Sequence, residues 1–234
     1  MLPKFYCINL KTSTARKERM LARFNDAKIP DGGVHFVEAI RPGTGIVTYY
    51  CQKNPLTTQE RLNGACSASH LKAIRTFLES DEDEAFICED DICLKKNFIE
   101  EWNNVKSNLP TNAPLLTCSY MLTSHDGKIL SGKNPTLNNI YLLCPINTWG
   151  AQLYWLNRDY AIKALEMFDK PMINPQFNEQ IIRLSKGYLC TPPLAIEDCL
   201  DSDRAPRDLP YHFVHFDSWH RHNYQDKIPI LLKK

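Results

Sequence analysis

No run of this chain is apolar for long enough to cross a bilayer, so the sequence offers no candidate for a membrane-spanning helix. The opening Met1-Leu2-Pro3-Lys4 has neither the apolar core nor the small-residue cleavage site of a secretory leader, and the reading predicts a cytoplasmic protein. Charge of one sign is missing too: 28 basic residues against 27 acidic ones leave +1, too little to draw in nucleic acid or anionic lipid. Nine cysteines are present, yet the number is odd and no pair has C-x-x-C spacing, which argues against a zinc ribbon and a disulfide framework and predicts reduced thiols. Only nine of 234 residues are glycine, and none forms a Walker loop or a G-x-G-x-x-G turn, so P-loop and dinucleotide readings lose their main support. Internal repeats, heptads and low-complexity linkers are absent as well.

What the chain does have is Glu84-Ala85-Phe86-Ile87-Cys88-Glu89-Asp90-Asp91-Ile92. Ala85 to Cys88 suit a strand buried on both faces, and three carboxylates follow at once. Adjacent acids at a core edge repel one another and call for compensation, which a hard divalent cation with oxygen ligands supplies. Open α/β sheets bind ligands at the carboxyl ends of their strands, and Glu89, Asp90 and Asp91 stand at such an end. The upstream run Asp81 to Glu84 precedes the strand and reads as a solvated turn.

The surrounding pattern is βα alternation. Phe5–Leu10 reads as a strand and Thr12–Ala27 as a helix, with Arg16 near the helix start, where it would reach a phosphate at the end of strand one. Asn9 and Leu10 close that strand and are assigned to the nucleotide pocket on the same argument. Val34–Ile40 alternates as a second strand, and a polar segment follows to about residue 60. Small residues at Gly64 to Ser69, with Ser69 and His70 at their end, then lead into a helix; they permit close approach of a ligand or, equally, tight helix-on-sheet packing. Further on come a helix from Phe98 to Ser107, a strand from Ala113 to Cys118, a loop or hairpin around Asp126-Gly127, a strand from Thr148 to Leu156 with Trp149 as a possible exposed aromatic, a helix capped by Asn157 or Asp159, and a short helix from Phe177 to Ser185.

Four blocks together resemble glycosyltransferase family 25. They are Tyr6-Cys7-Ile8-Asn9-Leu10 with Arg16; Gly64-Ala65-Cys66-Ser67-Ala68-Ser69-His70; Phe86 to Ile92 with its Glu-Asp-Asp triplet; and Gly150 to Leu156 with Ala161 and Leu165. The resemblance implies a GT-A fold, an α/β Rossmann-like domain with a mixed, mostly parallel sheet flanked by helices. On this reading residues 1–210 form the glycosyltransferase domain and 211–234 a tail packed on it. It also implies a UDP-sugar donor, a glycan or glycoprotein acceptor, and Mn²⁺ or Mg²⁺ held by Asp91 and Asp90, with Glu89 orienting the ribose or a metal-bound water. A further ligand is expected from the C-terminal acidic and histidine segment, where Asp203 and His215 are candidates beside Asp201 and His212. Glu179, near where the family places an acid, is the candidate general base of an inverting transfer, with an ordinary first-turn glutamate as the competing reading. Lys11 and Asn174 to Glu179 depart from the family pattern. Two other functions remain in view: a metal-dependent phosphohydrolase using the same acids, and a nucleotide-sugar or carbohydrate-binding module without activity.

Overall fold

The computed structural model describes residues 1–51, 55–122, 140–142, 148–172, 178–198 and 224–225. Its strands are β1 (Lys4–Asn9), β2 (Val34–Glu38), β3 (Glu84–Glu89), β4 (Ile92–Leu94), β5 (Leu115–Leu122), β6 (Ile140–Leu142), β7 (Thr148–Asn157), β8 (Tyr188–Cys190) and β9 (Ala195–Glu197). The helices are α1 (Thr14–Asp26), α2 (Gly45–Cys51), α3 (Thr58–Leu78), α4 (Phe98–Asn108), α5 (Arg158–Phe168) and α6 (Asn178–Arg183).

Seven strands form one sheet in the order β2-β1-β3-β7-β5-β8-β6, and β4 pairs with β9 as a separate ribbon. The parallel pairings β2-β1, β1-β3 and β5-β8 and the antiparallel ones at β7 and β6 leave β1, β2, β3, β5 and β8 running one way. The expected mixed, mostly parallel sheet flanked by helices is what the chain builds.

Alternation along the central strands explains the layering. Phe5, Cys7, Phe86, Cys88, Leu153 and Trp155 point to one face and meet Met20 and Phe24 of α1 and Phe98 and Trp102 of α4. Tyr6, Ile8, Ala85, Ile87, Tyr154 and Leu156 point to the other and meet Leu71, Ile74 and Phe77 of α3, Ala161 and Ala164 of α5, and Ile181 and Ile182 of α6. Phe86 stacks on Phe5 at 4.6 Å and meets Trp102 at 4.7 Å and Phe98 at 5.6 Å edge to face, so the strand that carries the acidic triplet is fixed from below by three aromatic rings.

Two helical starts differ from the sequence reading. The polar segment after β2 contains α2, whose Val47, Tyr50 and Cys51 are buried, and α3 begins at Thr58 rather than after the small-residue block. A capping box explains the second: the Thr57 hydroxyl accepts from the Glu60 amide at 3.2 Å while Glu60 accepts from the Thr57 amide at 2.8 Å. Gly64 to His70 therefore lie inside a 21-residue helix. For α5 the cap is Asn157, whose side chain accepts from the Tyr160 amide at 2.8 Å. The Asp126-Gly127 turn, the Trp149 side chain, Asn174 to Phe177 and the tail apart from Tyr224 and Gln225 lie outside the described residues.

Candidate active site

Parallel pairing of β1 and β3 sets Ile8 opposite Glu89, so the next residues, Asn9 and Asp90, emerge side by side at the carboxyl end of the sheet. Asn9 Nδ2 donates to Asp90 Oδ2 at 2.6 Å and to the Ser13 carbonyl at 3.2 Å, tying the end of β1 both to the acidic turn and to the start of α1. From the first turn of α1, Arg16 Nη2 reaches Asp90 Oδ1 at 2.6 Å and Asp91 Oδ2 at 3.0 Å. Both aspartates are buried, at 6% and 8% exposure. Burial raises the pKa of Asp90 from its ordinary value, with Arg16 and the Asn9 amide pulling the other way. Asp91 is pushed well above the usual carboxylate range by burial first, then by the charges of Glu197 and Glu89, with Arg16 opposing. Its Oδ1 is buried without a hydrogen-bond partner among the described residues.

The second acidic strand comes from the β4-β9 ribbon. Ile92 pairs with Glu197, and the Asp198 amide donates to the Asp91 carbonyl at 2.6 Å, so Glu197 and Asp198 are carried back to the triplet. Asp198 takes Arg23 Nη1 at 2.8 Å and Arg19 Nε at 3.3 Å, and Arg23 also donates to the Ile92 carbonyl at 3.0 Å. Gln225 closes this corner by donating from Nε2 to the Arg23 carbonyl at 2.7 Å. Glu197 accepts from Gln152 Nε2 at 3.4 Å. Gln152 needs the room left by Gly150, which sits at φ +101° and where a Cβ would come within 2.3 Å of Gln152 Oε1. Sequence reasoning looks for the further ligand at Asp203 or His215, beside Asp201 and His212, all outside the described residues, and passes over Glu197 in that role. A signal was there: Leu194-Ala195-Ile196-Glu197-Asp198 repeats the apolar-then-acidic pattern of Phe86 to Asp90.

On the α3 side, Glu89 Oε1 lies 3.2 Å from His70 Nε2 and 3.9 Å from Cys66 Sγ, and His70 Nδ1 lies 3.1 Å from the Tyr154 hydroxyl of β7. Asn178 Nδ2 donates to Cys66 Sγ at 3.5 Å, and the Ser67 hydroxyl donates to Asn178 Oδ1 at 3.1 Å, fastening α6 to α3. Glu179, 9% exposed in the first turn of α6, accepts from Arg183 Nη2 at 3.0 Å. Ser69 bonds backbone on both sides, donating to the Ala65 carbonyl at 2.7 Å and accepting from the Ile40 amide at 2.8 Å. Leu10 lies in the turn after β1, its carbonyl accepting from the Ser13 amide at 2.8 Å. The structure thus brings Asn9, Arg16, Glu89, Asp90, Asp91 and His70 together; Ser69 serves the joint between α3 and the segment after β2, and Glu179 belongs to the adjoining α6.

This corner collects carboxylate oxygens, the donors that a hard divalent cation takes. Glu89, Asp90, Asp91, Glu197 and Asp198 gather here with the guanidiniums of Arg16, Arg19 and Arg23 between them. The donors are oxygens, and Asp91 Oδ1 is a buried acceptor without a hydrogen-bond partner among the described residues.

Carboxylates and an arginine at the carboxyl ends of two neighbouring parallel strands stand where open α/β sheets bind ligands, with neither a Walker loop nor a G-x-G-x-x-G turn in the sequence. The model of glycosyltransferase family 25 (LPS biosynthesis protein) matches residues 2–174, and the chain belongs to that family. No curated protein matches the chain. Among solved structures it is similar to the galactosyltransferase LgtC in complex with donor and acceptor sugar analogs, at 14% identity and a TM-score of 0.38 over 80% of this chain and 72% of that one. No helix of the described residues is long and apolar enough to cross a membrane.

Proposed function

We propose that this glycosyltransferase moves a hexose, galactose or glucose, from a UDP-sugar to a hydroxyl of a glycan or protein acceptor, with inversion and with Mn²⁺ or Mg²⁺ at the acidic corner. The observation that carries the reading is the buried Asp91 carboxyl at the carboxyl edge of the sheet, set beside the charges of Glu197 and Glu89 and with Oδ1 unpartnered among the described residues.

Asp91, with Asp90 and Glu197, would hold the cation, which supplies neutralisation of the departing diphosphate. Asn9 keeps Asp90 aimed through its 2.6 Å hydrogen bond, and Arg16, in the first turn of α1 and paired with the same two aspartates, would turn to a donor phosphate bound there. Glu89, braced by His70, is available to a ribose hydroxyl or a bound water. The general base must lie within hydrogen-bond reach of the acceptor hydroxyl; Glu179, partly buried beside the α3–α6 joint, is our candidate, and its pairing with Arg183 must loosen for it to accept a proton. Asp203 and His215 remain candidates for completing the metal shell from the C-terminal segment. Cytoplasmic residence accords with the seven free cysteines among the described residues.

Turnover of UDP-galactose and UDP-glucose, with and without EDTA, alongside a chromogenic phosphodiester, tests the proposal. Metal-dependent UDP release that rises with a sugar acceptor is expected. Phosphodiester cleavage without nucleotide-sugar turnover would replace it with the phosphohydrolase reading, and donor binding with no turnover would leave a binding module.

A further inference from the structure

Beside the all-oxygen corner lies a second set of ligating atoms, which shares Glu89 with the acidic triplet and which the cation role proposed above does not use. Cys66 Sγ, His70 Nε2 and Glu89 Oε1 come from two successive inward positions of α3, one turn apart, and from the end of β3, and all lie within 4.8 Å of one another. A tetrahedral zinc site, with bonds of about 2.0–2.3 Å, sets sulfur, nitrogen and oxygen ligands roughly 3.3–3.6 Å apart. Here His70 and Glu89 stand at 3.2 Å and Cys66 and Glu89 at 3.9 Å, so the three need only small side-chain rotations to close on a common centre.

The groups behind these ligands suit the same task. With a metal on Nε2, the His70 ring carries its proton on Nδ1, and the Tyr154 hydroxyl sits 3.1 Å from that atom to receive it. Asn178 Nδ2 donates to Cys66 Sγ, a bond that strengthens when the thiol becomes a thiolate. His70 and Tyr154 are fully buried, and Cys66 alone of the seven described cysteines is not. A thiolate and an imidazole prefer zinc-class cations to Mg²⁺ or Mn²⁺, so this donor set selects a different metal from the all-oxygen corner at Asp91.

We propose that Cys66, His70 and Glu89 bind a zinc-class divalent cation through three protein ligands, with a fourth position left open. Binding releases the thiol proton of Cys66 to solvent and draws Glu89 towards α3. The inference goes beyond the transfer reaction and does not depend on it, because its readout is the metal itself.

Cobalt(II), titrated into the reduced protein after EDTA treatment and desalting, is the probe: thiolate ligation gives a near-ultraviolet charge-transfer absorption, and tetrahedral geometry gives intense visible bands. We expect one equivalent to develop both, and Zn²⁺ to bleach them by displacement. Cys66→Ser should lose the charge-transfer absorption while keeping the circular dichroism of the parent. Tyr154→Phe should keep the absorption and weaken cobalt affinity by about 10-fold or more. Absence of the absorption in the parent protein, or its persistence in folded Cys66→Ser, overturns the proposal; if Cys66→Ser does not fold, an unchanged affinity in Tyr154→Phe does so. Loss of UDP binding in a separate titration would count against the transfer reading alone.

Discussion

Asp91→Asn separates the cost of the acidic corner from its use. In the parent, Asp91 Oδ2 meets Arg16 at 3.0 Å and Oδ1 meets nothing among the described residues. Asparagine has nearly the same volume: its oxygen can keep Arg16, and its amide nitrogen takes the orphaned position. The variant loses charge assistance in one hydrogen bond, about 1 kcal/mol, and loses the repulsion from Glu197 and Glu89 as well. The pH dependence gives the sign. A carboxyl whose folded-state pKa lies above its unfolded value favours the folded state while protonated, and this advantage disappears as pH rises through the folded-state pKa. Metal-free parent protein should therefore lose stability as pH rises from the acid range through that elevated value, and Asp91→Asn should lack this part of the loss. With UDP and Mn²⁺ at about 100 times their dissociation constant, the parent should gain about 2.7 kcal/mol, or roughly 5–10 °C in Tm for a chain of this size. The variant should gain almost none of it. Differential scanning fluorimetry across pH, with and without UDP and Mn²⁺, reads both effects. A variant that melts well below the metal-free parent at neutral pH, or that keeps the full ligand-induced shift, would refute the reasoning.

Arg16→Ala should leave Asp90 and Asp91 uncompensated, destabilising the metal-free protein by about 3 kcal/mol and weakening UDP binding; urea denaturation, in which Mn²⁺ should restore part of the loss, and calorimetry check the two effects. Breaking the buried Arg23–Asp198 pair with Asp198→Ala should cost about 3–5 kcal/mol by urea denaturation, because Arg23 is only 3% exposed and its charge would lose the Asp198 carboxylate. Because Asp91 titrates above the ordinary carboxylate range, Mn²⁺ affinity measured by calorimetry should fall on acidification at a higher pH than a surface aspartate site would show. Glu179→Gln should keep donor binding and reduce transfer by about 10²-fold or more in a steady-state assay; near-normal transfer would remove the base role.

The central strands were legible because their period-2 pattern and their burial agree: Phe5, Cys7 and Phe86 face one layer and Tyr6, Ile8 and Ile87 the other, as buried parallel strands should. The corner of the acidic triplet was legible for a local reason too, since three acids directly after an apolar run have few structural uses. The start of α3 was hidden because its decisive signal is the Thr57–Glu60 capping box, whereas attention falls on the small residues that follow. For Glu197 the apolar-then-acidic pattern was legible but the partner was not: the β4-β9 register that carries it back to Asp91, across more than a hundred residues, leaves no mark in the sequence. The same applies to Tyr154, which alternation alone assigns to the core but which also ends at His70.

The central claim is that the carboxyl end of β1 and β3 holds a divalent cation and the diphosphate of the donor. A crystal structure of the protein with UDP and Mn²⁺, with data collected for manganese anomalous scattering, tests it most directly. The account predicts an anomalous peak within coordination distance of Asp91, with the diphosphate between it and the first turn of α1. A peak absent from Asp91, with UDP ordered elsewhere on the molecule, would contradict it.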